Sequence, residues 1–201
     1  MKKLFITCAV AGLCAMTFNS CGVQDAITNE KSAEETVLEN IHARKSVRSY
    51  TAQAVEEGKI DKLVRAGMAA PSGKDVRPWE VVVVTDRAVL DRMADGLPYA
   101  KMLRQAPLAI VVCANVDKQP DYWFVDCSAM TQNILLAAEA MGLGAVWTAA
   151  FPYADREKAV TDALGLPENV RALNVIPIGY PAGDEKPKDK YDPAKIHYNG
   201  W

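Results

Sequence analysis

Over residues 126–141 the sequence is apolar nearly all the way round a helix, with Met130, Ile134, Leu135, Leu136, Ala138 and Met141 leaving little for a wet face. A helix of that kind is covered on most sides, in a core or at a subunit interface. The rest of the chain must supply the cover. In 201 residues, 50% of them apolar and 24% charged, there is material for one sizeable core, and so for one domain.

The surrounding elements are mixed. Helical spacing recurs over residues 34–44 (Val37, Leu38, Ile41) and 56–70 (Ile60, Leu63, Val64, Gly67), the second ending before Pro71. Short apolar runs bounded by turn residues predict buried strands at 80–84, 107–114, 145–149 and 172–180. Pro177 inside the last run predicts an edge position or a bulge. Thr85-Asp86 can cap a helix over 87–95, and 155–164 reads as a surface helix stopped by Gly165 and Pro167. Residues 98–105 read as a helical turn or two. After Tyr180 the chain is rich in Pro, Lys and Asp and predicts no compact element, ending in His197-Tyr198-Asn199-Gly200-Trp201, whose aromatics could anchor it to a neighbour. Without a strict βαβ rhythm, the pattern predicts an α+β layered fold rather than a doubly wound one.

Several chemistries are excluded. Gly142-Leu143-Gly144 follows a helix instead of opening one, and no G-x-G-x-x-G, Walker lysine motif or G-x-S-x-G elbow is present. His42 and His197 have no partner at metal-ligand spacing. A net charge of −2 gives no electrostatic case for nucleic acid. What stands out is Arg44-Lys45-Ser46-Val47-Arg48, at the C-terminal end of the first predicted helix, where the helix dipole favours cations. Arginine forks and a serine hydroxyl match phosphate oxygens. On this stretch alone, a phosphate seat and a solvated basic turn both stay open. With the donor-rich loop Pro71-Ser72-Gly73-Lys74-Asp75-Val76-Arg77-Pro78-Trp79 and no evident nucleophile, the set suits a protein whose chemistry belongs to a bound organic cofactor.

Taken in order, four motifs resemble the nitroreductase family. They are Arg44-Lys45-Ser46-Val47-Arg48-Ser49-Tyr50; Ala70 to Trp79; Asp126-Cys127-Ser128-Ala129 with Gln132 to Ala138 and Gly142 to Trp147; and Ile178 to Lys190. The resemblance spans roughly residue 38 to the end. It implies a three-layer α/β/α sandwich around a mixed, largely antiparallel sheet. It also implies an FMN-dependent oxidoreductase, an obligate homodimer with a flavin in each of two interface clefts. Electrons would pass in ping-pong order from NAD(P)H to a nitroaromatic, a quinone or a similar small acceptor. A flavin-binding or scaffold protein of the same fold, without reductase activity, is the alternative.

Carried over by motif, Arg44, Ser46 and Arg48 would hold the FMN phosphate and ribityl chain, with Lys45 contributing mainly backbone. Lys188 and Lys190 stand in the places of the family's late basic pair. Pro71, Ser72 and Gly73 would contact the flavin ring from the partner subunit, and Ala149 and Ala150 would lie along it. No side chain is assigned a catalytic role. Asp75 departs from a common asparagine and Arg77 from a common glutamine. An ionised Asp75 cannot donate to the flavin and would disfavour its anionic reduced form unless Arg77 or Lys74 pairs with it.

The N-terminus carries a separate signal. Met1-Lys2-Lys3 precedes an apolar run over 4–16 and then Thr17-Phe18-Asn19-Ser20-Cys21-Gly22, which reads as a secretory signal too short to span a bilayer. Ser20-Cys21 resembles the end of a bacterial lipobox, although Phe18 replaces its usual leucine. The expectation is a signal peptide over 1–21, a polar tether over 22–33 and a domain over 34–201. Lipidated Cys21 would hold that domain at the membrane of the cell envelope, with plain secretion as the alternative. Export unfolded would require FMN to be acquired outside, where NAD(P)H is expected to be scarce. Cys8 and Cys14 would leave with the signal. Cys113 and Cys127 then remain in apolar surroundings, as inert hydrophobes or as a disulfide.

Overall fold

The computed structural model describes residues 31–201. The expected signal peptide, Cys21 and most of the tether lie outside the described residues. Residues Ser32–Trp201 form one compact unit. No helix among the described residues is long and apolar enough to cross a membrane.

Helix α1 (Ala33–Ala43) opens on a capping box: Glu35 N–H donates to Ser32 Oγ at 3.1 Å, and Ser32 N–H to Glu35 Oε2 at 2.9 Å. Its apolar row, Val37, Leu38 and Ile41, is exposed, and the helix buries no residue. Helix α2 (Glu57–Met68) buries Leu63 and Gly67. A Cβ on Gly67 would stand 2.9 Å from Ile134 Cγ1, so the absence of a side chain sets how closely α2 approaches the long central helix. Strand β1 (Trp79–Val84) is followed by α3 (Arg87–Gly96), whose cap Asp86 accepts from Val89 N–H. A 3₁₀ turn at Lys101–Arg104 leads to β2 (Leu108–Asn115) and α4 (Trp123–Ala140). Then come β3 (Gly144–Ala145), β4 (Thr148–Ala149), α5 (Ala154–Leu164) and β5 (Val170–Gly179).

The sheet runs β1-β2-β5-β3, with β4 also on β5. Every pairing among these strands is antiparallel, in line with the largely antiparallel sheet that the resemblance implied. Strand β2 explains the layering. Leu108, Ile110, Val112 and Ala114 face the cluster built by α2 and α4, whereas Ala109, Val111 and Cys113 face the cluster of α3 and α5. Both faces are covered, giving three layers, α/β/α. Helix α4 buries eight of its 18 residues, among them Met130, Ile134, Leu135 and Ala138, while Phe124 and Val125 stay exposed, so within one chain its cover is partial. It begins at Trp123, three residues earlier than expected, because that indole is buried edge-on against Phe151 at 4.9 Å.

The last strand corrects the sequence reading. Strand β5 lies inside the sheet, not at its edge. Its bulge is at Leu173, where the register with β2 shifts between Val112 and Cys113, and not at Pro177. The Leu173 carbonyl accepts from both Ala150 and Phe151 N–H at 3.0 Å. Pro177 acts on the neighbouring strand instead. Gly144↔Gly179 and Thr148↔Val175 belong to one register, in which Val146 would stand opposite Pro177. Proline has no N–H to give. There the ladder opens, and the strand expected over 145–149 becomes β3 and β4.

Cys113 and Cys127 are free. Cys127 Sγ donates to the Cys113 carbonyl at 3.3 Å, and burial pushes both thiols up to about 12. With Cys8, Cys14 and Cys21 replaced by serine, the folded protein is expected to show no fast thiol at pH 8 in an Ellman titration and two after denaturation. A thiol that reacts within seconds in the folded protein would contradict this packing.

Candidate functional site

Helix α1 ends at Ala43, and residues 44–50 run on without regular structure. Two anchors fix that run. Val47 is buried and its N–H donates to the Ala145 carbonyl of β3 at 3.1 Å. Tyr50 is buried too, with its hydroxyl 2.6 Å from the Val47 carbonyl and 3.1 Å from that of Pro177. Burial pushes its phenol well above the usual range. With Val47 and Tyr50 turned inward, Arg44, Ser46 and Arg48 are left toward the outside.

The same run recruits the C-terminal segment. Tyr50 bridges Pro181, Thr51 N–H donates to the Tyr180 carbonyl at 2.9 Å, and Ala182 N–H donates to the Ser49 carbonyl at 2.9 Å. This short antiparallel pairing carries the chain after Gly183 back over the first basic cluster. A cavity of about 370 Å³ results, lined by Arg44, Lys45, Ser46 and Arg48 together with Glu185, Lys186, Lys188 and Lys190. Lys45 is engaged elsewhere, 2.8 Å from Glu139, and Lys186 lies 2.6 Å from Asp184. Among the described residues, no carboxylate pairs with Arg44, Arg48, Lys188 or Lys190. Four unpaired cations and a hydroxyl around one cavity fit a phosphate monoester, which carries close to two negative charges near neutral pH.

Arg48 also borders a second cavity, of about 470 Å³, with Tyr99, Met102, Trp147 and Ala149 among its lining. Ala149 is thus joined to the basic cavity through one arginine. Ala150 is not: it is fully buried, with its N–H on the Leu173 carbonyl.

Pro71, Ser72 and Gly73 lie elsewhere on the chain. They line an almost wholly apolar cavity of about 400 Å³ with Tyr122, Val125, Asp126 and Ala129, and share no residue with the basic one. Gly73 N–H donates to Asp126 Oδ1 at 2.9 Å, and Ser72 Oγ accepts from Arg77 N–H at 3.0 Å. Lys74, Asp75 and Arg77 all have positive φ (53°, 55° and 52°), a conformation that non-glycine residues adopt rarely and at a cost. Asp75 lines neither cavity. Arg77 grips it with both arms, Nε at 2.7 Å from Oδ1 and a terminal nitrogen on Oδ2. The pairing anticipated for an ionised Asp75 is therefore made by Arg77, not Lys74.

That grip sets the Asp75 titration. The hydrogen bond from Arg77 holds its carboxyl below the ordinary value of 3.8. A depressed carboxyl contributes stability above its unfolded value and loses it as pH falls through the folded one, so this contact persists down to below pH 3.8. Carboxyl-carbon NMR is expected to show Asp75 titrating below that value, and near it in Arg77→Gln. Equal midpoints in the two proteins would mean that the pair is not formed in solution.

Some residues here were given no site role by the sequence reading. Glu185 is a carboxylate inside a basic cavity. Asp126 is buried and positions Gly73. Tyr99 and Met102 flank Ala149 from a segment whose sequence signal was ambiguous, and Trp147 does so from the end of the third motif.

Known proteins resemble this chain over most of its length. A crystal structure of a Bacteroides thetaiotaomicron VPI-5482 protein is 63% identical, with a TM-score of 0.81, and the match covers 82% of this chain and 98% of that one. An FMN-dependent nitroreductase from Clostridium difficile R20291 is 30% identical, with a TM-score of 0.78 over 82% of this chain and 99% of that one. A Methanothermobacter thermautotrophicus protein, provisionally named an NADH dehydrogenase/NAD(P)H nitroreductase, is 43% identical over 173 residues, 85% of this chain and 91% of its own length. The sequence profile of the Nitroreductase family matches residues 41–180, and the chain belongs to that family.

Proposed function

We propose that this chain is an FMN-dependent oxidoreductase that takes electrons from NAD(P)H and passes them to a nitroaromatic, a quinone or a similar small acceptor, in ping-pong order. One observation carries the reading. Two segments separated by most of the domain put Arg44, Arg48, Lys188 and Lys190 around a single cavity, with no carboxylate among the described residues paired to any of them. Kinship with a structure named FMN-dependent and with a relative named for NAD(P)H supports the cofactor and the donor.

Bound there, the flavin would supply the two-electron chemistry. Arg44, Ser46, Arg48, Lys188 and Lys190 would bind its phosphate and fix its depth. The cavity shared by Arg48 and Ala149 would take the ring, and contains no carboxylate, histidine or cysteine. These residues would bind, orient and exclude water, with no acid or base role assigned to any of them. Pro71, Ser72 and Gly73, just before the strained residues Lys74, Asp75 and Arg77, line a cavity of their own and would complete the cleft of a second copy in a homodimer. A lipidated Cys21 would place that dimer on the membrane of the cell envelope.

The test is a visible absorption spectrum of the purified full chain, before and after FMN and then NADH or NADPH. A flavin band that bleaches is expected. A band that persists would remove the nicotinamide donor from the reading. Absence of any band, with no uptake of added FMN, would leave a scaffold of nitroreductase fold.

A further inference from the structure

We propose that Glu185 is an internal anion kept in the phosphate cavity, and that a phosphate monoester binds by displacing it. This rests on the reading of the basic cavity given above. Glu185 lines that cavity among the four cations that have no carboxylate partner. Its Oε1 accepts from the Arg48 backbone N–H at 3.1 Å, so it occupies a donor in the middle of the basic segment. Its Oε2 is buried and has no hydrogen-bond partner.

A carboxylate retained only to brace the backbone would be expected to satisfy both oxygens, because a buried charged oxygen without a partner is costly. Here no ion pair involving Glu185 is formed among the described residues, and its one hydrogen bond among them is the Arg48 N–H on Oε1. Oε2 reaches back to Gly183, where a Cβ would stand 2.8 Å from it, a contact that the flexible carboxylate could relieve by turning aside.

The consequence is selectivity among anions. A monoester brings close to two charges and three strong acceptor oxygens, against one charge and one satisfied oxygen for Glu185. It gains more from the four cations than the carboxylate loses. A singly charged anion, such as a carboxylate or a phosphodiester, offers little more than Glu185 already provides and is turned away. Glu185 thus acts as a specificity-determining residue for a phosphate monoester.

The test is equilibrium binding of FMN, riboflavin and inorganic phosphate to the full chain, in wild type, Glu185→Gln and Glu185→Ala, by flavin fluorescence and calorimetry. Both variants are expected to bind FMN and inorganic phosphate roughly tenfold tighter, because one like charge has left the site. Riboflavin, which has no phosphate, should bind equally to all three. Unchanged affinity in the variants would overturn the proposal. So would weaker FMN binding in Glu185→Ala restored by Glu185→Gln, which would make Glu185 a brace for Arg48. Weaker binding of both FMN and riboflavin in the two variants would also overturn it, since Oε2 would then be an acceptor for a ribityl hydroxyl. Wild-type protein that takes up neither FMN nor phosphate would remove the phosphate-cavity reading along with this one, an outcome distinct from the other three.

Discussion

Alanine at both Arg44 and Lys188 is expected to weaken FMN binding roughly 10²- to 10⁴-fold, because each replacement removes a charge-assisted hydrogen bond to phosphate. The thermal midpoint of the ligand-free protein should hardly move, since neither side chain is buried or ion-paired. Arg44 should carry more of the loss, as its fork can grip two oxygens while the exposed Lys188 ammonium is partly screened. The effects should fall short of additive, since both groups act on one phosphate. Lys45→Ala is the internal control. Its ammonium lies on Glu139, so its loss should leave affinity within a few-fold of wild type. Fluorescence titration at low and high salt reads all three, and the salt slope should flatten in the double variant. If Lys45→Ala weakens FMN as much as Arg44→Ala, the division of labour in this cavity is wrong.

The cluster was visible in the sequence, but its completion was not derivable from spacing. Arg44, Ser46 and Arg48 sit close together in the chain, whereas Lys188 and Lys190 arrive through the pairing of Tyr50 with Pro181, which leaves no periodic signal. Only the resemblance to a family joined them. The same holds for the loop at 71–77. Prolines and a glycine announced a turn, yet the left-handed residues are Lys74, Asp75 and Arg77, whose types give no hint of it. Burial was easier to read than topology. The apolar run of β2 predicted an element covered on both sides, as found, whereas α4 buries one side and keeps Phe124 and Val125 exposed. Pro177 was read as acting on its own strand, when the missing donor is felt across the ladder by β3 and β4. Ala150 was grouped with Ala149 by adjacency, but the bulge at Leu173 ties its N–H into the core. The row of Val37, Leu38 and Ile41 had helical spacing and forms a helix, yet is left exposed, because periodicity reports an apolar face without saying what covers it.

Gly144→Ala should do the most damage for one added methyl, and it tests how the fold holds the site. A Cβ at 144 would stand 2.6 Å from Val47 Cγ1 and 2.7 Å from Val47 Cβ. The Cγ atoms can turn away, but a Cβ moves only with its backbone. That backbone is pinned to β3 by the Val47 N–H bond to Ala145, and the Tyr50 hydroxyl lies on its carbonyl. The methyl must therefore push the 44–48 segment off the sheet or break the end of β3. Overpacking of this kind costs about 1–3 kcal/mol. In a domain of this size that lowers the melting midpoint by roughly 2–12 °C. Because Arg44, Ser46 and Arg48 ride on the displaced segment, FMN affinity should fall at least tenfold in the same protein, which an ordinary surface substitution would not do. Adding Val47→Ala removes the Cγ contacts but keeps the Cβ at 2.7 Å, so it should recover only part of the midpoint and of the affinity. Full recovery would show that rotamer crowding, not backbone position, sets the distance. A Gly144→Ala protein that melts and binds FMN like wild type would mean that the segment is free to shift, and that the phosphate seat does not depend on its contact with β3.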